Sequence, residues 1–231
     1  MEAIILAGGK AERLGDAAGG RPKALVEIAG RPLAAYQVGR LARAGVERVI
    51  FAVAAGTGRL FEDELQGLGA EIVAVEEPER LGRGGGIRFA AAARRESGDV
   101  FALNGDELVD VDYAGLLAAH RATGALATIT VARPKSQFGL VDIGDDDVVH
   151  GFQEAGRVPY WVNCGNYVLS AAAIERFPLK GDHESSTFPE LAAEGALRAF
   201  RHDGLWLTVN TPKELRVASE HVAAHPEWLA V

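Results

Sequence analysis

The chain has 231 residues, 48% of them hydrophobic, a formal net charge of −8 and a single cysteine. That length suits one domain with a full core, burying roughly 70–75% of its unfolded surface. The acidic balance argues against nucleic-acid and membrane-surface partners, which need clustered cations, and Cys164 alone excludes a disulfide framework or a cysteine-based metal site.

Short apolar runs alternate with segments of helical period, the pattern of helices packed over a mostly parallel sheet. Strands are expected at 3–7, 48–53, 71–75 and 100–103, with helices at 33–44, 59–68 and 87–95 between them. A helix at 113–122 and a strand at 127–131 follow, then a hairpin of 139–143 and 148–152 around Gly144-Asp145-Asp146-Asp147. The remainder reads as a strand at 161–169, helices at 171–177 and 187–194, a strand at 197–202 and a closing helix at 212–224. No linker, repeat or low-complexity tract divides the chain, so one domain over 1–231 is expected. No stretch approaches the ~20 apolar residues of a membrane span. The start reads as the first core strand rather than a leader, and a cytoplasmic location fits the lone cysteine.

Four loops could carry chemistry. The first strand runs through Leu6 and Ala7 into Gly8-Gly9, with Arg13 and Lys23 close behind, and residues 10–31 are net positive within an acidic chain. Glycines bare the backbone N–H groups, Arg13 can fork two phosphate oxygens and Lys23 adds a compact charge, so a phosphate chain is the expected guest. The dinucleotide fingerprint fails because Ala11 and Leu14 stand where later glycines should fall. The phosphate-loop motif of P-loop NTPases fails too, since no glycine precedes a Lys followed by Ser or Thr.

The second loop, Leu81-Gly82-Arg83-Gly84-Gly85-Gly86-Ile87, follows the third strand and opens a helix, and could lay a flat base against main chain. At the end of the fourth strand, Asn104-Gly105-Asp106-Glu107 offers a carboxylate suited to a hard cation such as Mg²⁺. The last set is scattered: Gly139 within Phe138-Gly139-Leu140-Val141, then Glu154, and Asn163 within Asn163-Cys164-Gly165-Asn166. Such groups suit sugar hydroxyls, because their oxygens accept while backbone N–H groups donate.

With these motifs in place, the chain resembles the sugar-1-phosphate nucleotidyltransferases, or NDP-sugar pyrophosphorylases. LAGGKAERL, PKAL, LGRGGGI, NGD, FGLV, VNCGNYVL, STFPEL and WLTVNTPKEL carry the resemblance over residues 2–218. It implies a Rossmann-like three-layer α/β/α sandwich with a mixed, mainly parallel sheet. A nucleotide-binding part would span about 1–110 and a sugar-binding part about 111–231. It implies the reaction of an NTP and a sugar 1-phosphate to an NDP-sugar and pyrophosphate, dependent on Mg²⁺. By resemblance, Leu6, Ala7, Gly8, Gly9, Gly85, Asn104 and Gly105 serve the nucleotide, Arg13 the departing pyrophosphate and Lys23 the reacting phosphates. Asp106 would hold Mg²⁺, and Gly139, Glu154 and Asn163 the sugar.

The chain departs from the family pattern in three places. Ala11-Glu12 replace a glycine and a threonine in the signature loop; Thr208 replaces an Asp that is a second metal ligand, leaving Asn210 to offer an amide oxygen; and Ala155 replaces a phosphate-binding lysine, leaving Arg157 as the nearby cation. Two other readings therefore stand beside the enzyme: a catalytically silent nucleotide-sugar sensor, and a transferase for a non-sugar phosphorylated acceptor. The nucleobase and the sugar stay open. So does the oligomeric state, because the closing helix could pack on its own domain or in a homo-oligomer.

Overall fold

The N-terminal apolar run forms strand β1 (Glu2–Leu6), in which Ala3, Ile4 and Ile5 are closed to solvent on both faces of the sheet. A strand buried on both sides needs a layer of helices above and below. The structure, a computed structural model, describes residues 1–136 and 138–228 and supplies both layers. In chain order the first half comprises β2 (Glu27–Ile28), β3 (Arg31–Pro32), α1 (Leu33–Arg43), β4 (Arg48–Ala54), α2 (Gly58–Leu65), β5 (Glu71–Glu77), α3 (Gly82–Ala91), β6 (Val100–Asn104), β7 (Glu107–Val109) and α4 (Tyr113–Thr123). There follow β8 (Ala127–Ala132), β9 (Leu140–Ile143), β10 (Val149–Gln153), β11 (Val162–Leu169), α5 (Ala171–Glu175), α6 (Thr187–Ala193), β12 (Leu197–Arg201), β13 (Trp206–Thr208) and α7 (Pro212–Ala224).

The main sheet has seven strands in the order β12-β8-β11-β6-β1-β4-β5, and β11 alone runs antiparallel to its neighbours. On one face Ala3 and Ile5 pack with Val38 and Leu41 of α1, Phe61 of α2 and Leu116 of α4. On the other, Ile4 packs with Ile87 of α3, Ile174 of α5 and Leu191 of α6. This is the mixed, mainly parallel three-layer sandwich that the resemblance implies. Each fully buried Leu, Ile or Phe in these layers contributes roughly 1.5–3 kcal/mol.

Helix α7 packs on its own domain. Its Ala218 and Val222 are buried with Ile28, Leu33, Tyr36 and Val209, and a capping box between Thr211 and Glu214 fixes its start. Two small ribbons, β2/β3 and β7/β13, were not legible, since two- and three-residue strands carry no period. The expected helix at 87–95 starts five residues earlier, at Gly82, so the glycine run is helix rather than loop. Close packing explains its composition: a Cβ on Gly84 would come within 2.8 Å of the His183 nitrogen, and one on Gly85 within 2.6 Å of the Leu179 oxygen. Low helix propensity is tolerated because the backbone approach requires glycine.

The register places the first and third loops side by side. Leu6 of β1 lies level with Asn104 of β6, and the Gly105 N–H donates to the Leu6 carbonyl at 2.9 Å. A Cβ on Gly105 would lie 2.4 Å from that oxygen, which is backbone and cannot swing aside. Gly105→Ala should therefore cost roughly 1–3 kcal/mol, read as a lower urea midpoint; an unchanged midpoint would contradict the packing.

Candidate active site

The carboxyl ends of β1, β5 and β6 open into one cleft of about 340 Å³. Of the residues expected at the nucleotide, Leu6, Ala7, Gly8, Gly9, Asn104 and Gly105 line it, as do Lys23 and Asp106. Among the described residues no hydrogen bond engages the N–H of Gly8 or Gly9, so both are free to meet a ligand oxygen. A second hollow of about 360 Å³ lies along the same glycine turn, lined by Lys10, Glu12, Arg21 and Pro22.

Arg13, Lys23, Asp106 and Asn210 meet at one point. The Lys23 ammonium donates to Asp106 Oδ2 at 2.6 Å and also to Asn210 Oδ1. Arg13 Nη2 donates to the same amide oxygen at 2.9 Å. Residues 13, 23, 106 and 210 thus come from four separate segments, and the loop before α7 is what closes the group. Glu214 Oε2 accepts from the Asn210 N–H at 2.7 Å, which fixes that loop, while Thr208 donates its hydroxyl to Glu214 Oε1 at 3.1 Å. The oxygens of Asp106 and Asn210 converge on one ammonium beside an open cleft. A hard-oxygen pair of this kind suits Mg²⁺, which takes few protein ligands and completes its shell with phosphate and water oxygens.

Gly85, expected at the base, faces Leu179 rather than the cleft, and its N–H, like that of Gly84, donates to the Gly181 carbonyl. Gly82 and Arg83 are the members of that motif that line the cleft.

The sugar-side residues do not line it either. Asn163 donates to the Tyr167 hydroxyl at 2.9 Å and to Glu184 Oε1 at 3.1 Å, and Glu184 pairs with Arg83 at 2.8 Å. Asn163 is thereby tied to the cleft rim through two side chains. Gly139 is capped by the ring of Phe152, which a Cβ would meet at 2.5 Å. Glu154 is exposed, and Arg157 is exposed with its guanidinium donating to the Arg133 carbonyl at 2.8 Å.

Two cleft residues lie outside every motif of the sequence reading, Glu77 and Arg80, while Arg83 and Glu107 fall inside such motifs without a role assigned to them. Glu77 ends β5 at the ligand edge, and the strand was read as stopping two residues earlier; carrying it on would have placed the carboxylate. Glu77 as a residue is 9% exposed, and burial pushes its pKa up while the Leu81 N–H and Arg80 oppose the shift. Burial, with the adjacent Asp106 charge, pushes Glu107 up to about 8.

His183 walls the start of α3. It is fully buried, stacked on Phe177 with centroids 4.6 Å apart, and both its ring nitrogens lack partners. Burial lowers its pKa from 6.5 to about 4, against the pull of Asp182. Between those values the unfolded chain binds a proton that the native state refuses, so stability falls as pH drops through that window, by about 3 kcal/mol for the whole shift. Urea unfolding from pH 7 to pH 4 should show this slope, and His183→Leu should flatten it; equal slopes would contradict the assignment.

An α/β sandwich with bare glycine amides, two cations and a carboxylate gathered at its strand ends defines a nucleotide-binding enzyme of the phosphate-transfer kind. A family model described as nucleotidyl transferase matches residues 2–225, and the chain belongs to that family. It is similar to the mannose-1-phosphate guanylyltransferase catalytic subunit beta of Danio rerio, with 34% identity over 225 residues, 93% of this chain and 62% of that protein. The corresponding subunit of Xenopus tropicalis is 31% identical, over 100% of this chain and 68% of its own. The chain thus spans about three fifths to two thirds of the length of these relatives. Among solved structures, HddC from Yersinia pseudotuberculosis superposes with a TM-score of 0.75 at 26% identity, covering 95% of this chain and 98% of HddC. UTP-bound UGPase from Acinetobacter baumannii shares the fold, with a TM-score of 0.74 at 19% identity over 98% and 95% of the two chains. Among the described residues no helix is long and apolar enough to cross a membrane.

Proposed function

We propose that the chain is a cytoplasmic, Mg²⁺-dependent sugar-1-phosphate nucleotidyltransferase. An oxygen of the sugar phosphate attacks the α-phosphorus of the NTP, the bond from that phosphorus to the β-phosphate bridge oxygen breaks, and pyrophosphate leaves as an NDP-sugar forms. No enzyme-bound covalent intermediate is needed, because the acceptor already carries its nucleophilic oxygen; positioning and charge stabilisation suffice.

The observation that carries the reading is the meeting of Arg13, Lys23, Asp106 and Asn210 beside the free amides of Gly8 and Gly9. In this scheme the glycine amides and Lys23 hold the triphosphate, and Arg13 offsets charge on the leaving pyrophosphate. Asp106 and Asn210 would hold Mg²⁺, which supplies Lewis-acid polarisation of the phosphate oxygens. Gly139, Glu154 and Asn163 are assigned to the sugar and Arg157 to its phosphate. The names of the relatives support a sugar 1-phosphate as acceptor.

The test is to mix the full chain with Mg²⁺ and panels of NTPs and sugar 1-phosphates. NDP-sugar and pyrophosphate should appear in equal amounts for at least one pair. Tight nucleotide binding with no product from any pair would overturn the catalytic reading in favour of a silent nucleotide-sugar sensor, the alternative that Thr208 and Ala155 raise.

A further inference from the structure

The ribbon of β9 and β10 forms a sheet of its own, and its ladder pairs Val141 with Phe152 and Ile143 with Val149. Residues opposite one another, or two apart along a strand, share a face of a ribbon, so these four side chains make one apolar face. In that order they are 47%, 67%, 58% and 56% exposed, so the chain itself leaves the face uncovered. A two-stranded ribbon is marginal alone in water and gains stability when its apolar face is packed.

The two ends of the ribbon carry opposite charge. Residues 138–156 hold five acids and no Lys or Arg, and Asp145, Asp146 and Asp147 form the tip. At the base, Lys135 pairs with Arg157 in a single antiparallel bridge, and the Arg157 guanidinium donates to the Arg133 carbonyl at 2.8 Å. Arg133 and Arg201 both lie over the Trp161 ring, 4.5 Å and 5.3 Å from its centroid, which gathers four cations at this end. Glu154 at the ribbon's exit leaves the base net positive. Among the described residues, none of these four cations and none of the three tip aspartates has an ion-pair partner.

We infer that the apolar face binds the same face of a second copy of this chain about a two-fold axis, with the two ribbons antiparallel. The rung Leu140–Gln153 lies towards the base and Ile143–Val149 towards the tip, roughly 10 Å apart at ~3.3 Å per residue. Antiparallel packing therefore sets each acidic tip against its partner's basic base, while the apolar rungs meet between them. Parallel packing would press tip on tip and base on base, and like charges so opposed repel. A partner of one charge satisfies only one end, whereas a second copy satisfies both. The contact uses the same patch on each chain and closes at two. Apolar burial supplies the affinity, and the charges set the orientation.

The test is sedimentation of the full chain and two charge-reversed variants at micromolar concentration, without nucleotide. The wild type should sediment at twice the chain's mass at low salt, and added salt should weaken the dimer several-fold, because exposed ion pairs are screened. The tip variant, Asp145→Lys with Asp146→Lys, and the base variant, Arg133→Glu with Lys135→Glu, should each be monomeric. Mixed in equal amounts they should form a heterodimer, since the reversed tip of one then faces the reversed base of the other. A monomeric wild type, a dimer that survives either reversal, or a mixture of variants that stays monomeric would each overturn the assignment. The wild-type measurement needs no variant to fold, and a monomeric result leaves the catalytic proposal untouched.

Discussion

Asp106→Ala should lower turnover by about 10²–10³-fold, the scale on which removing one preorganised electrostatic group acts. The carboxylate takes a hydrogen bond from Lys23 at 2.6 Å, lines the cleft and shares that lysine with Asn210. Its side chain is about one third exposed, so its loss should leave the fold standing. Binding and chemistry should separate. On the proposed reading, Mg²⁺ would lose the charged ligand assigned to it, while a triphosphate would lose a repulsive neighbour. Nucleotide affinity measured without Mg²⁺ should therefore hold or rise as Mg²⁺-dependent kcat collapses. A near-normal rate at ordinary Mg²⁺ concentrations, with an unchanged melting temperature, would remove Asp106 from the metal role.

Lys23→Ala should cost about 10²-fold or more in kcat/KM, and Lys23→Arg should not rescue it. The ammonium is largely covered, at 12% side-chain exposure, and fills a compact slot between two oxygens. A guanidinium is larger and planar and cannot take the place of a point charge there. The pair with Asp106 is partly solvated, so its direct contribution to stability is about 1 kcal/mol or less. Kinetics should thus fall far more than stability, and steady-state assays beside urea unfolding separate the two. Unaltered kcat/KM in a folded Lys23→Ala protein would show that the ammonium meets no reacting phosphate.

Much of this site was legible because its signals are local. A strand ending in Gly8-Gly9 and another ending in Asn104-Gly105-Asp106 carry their composition within a few residues, and the parallel register brings them level at Leu6 and Asn104. Arg13 and Lys23 were singled out for their charge, and both donate to the Asn210 amide oxygen. What escaped depends on contacts between distant segments. The β7/β13 ribbon pairs Glu107–Val109 with Trp206–Thr208 nearly a hundred residues on, and no short window carries that information. Gly84 and Gly85 look like a ligand loop in sequence and prove to be the close packing of α3 against residues 178–183. Glu77 was hidden for a simpler reason: β5 runs two residues past the end assigned to it, and those residues carry the carboxylate into the cleft. The sugar side was the least legible. Gly139 and Glu154 belong to a hairpin and its exit, and neither reaches the cleft lining.

The most direct test of the account is a crystal structure of the full chain with a non-hydrolysable NTP analogue and Mg²⁺. The triphosphate should rest on the Gly8 and Gly9 amides with Lys23 and Arg13 against its oxygens and Asp106 facing the metal. A nucleotide bound elsewhere, or phosphates turned away from Lys23 and Asp106, would contradict it.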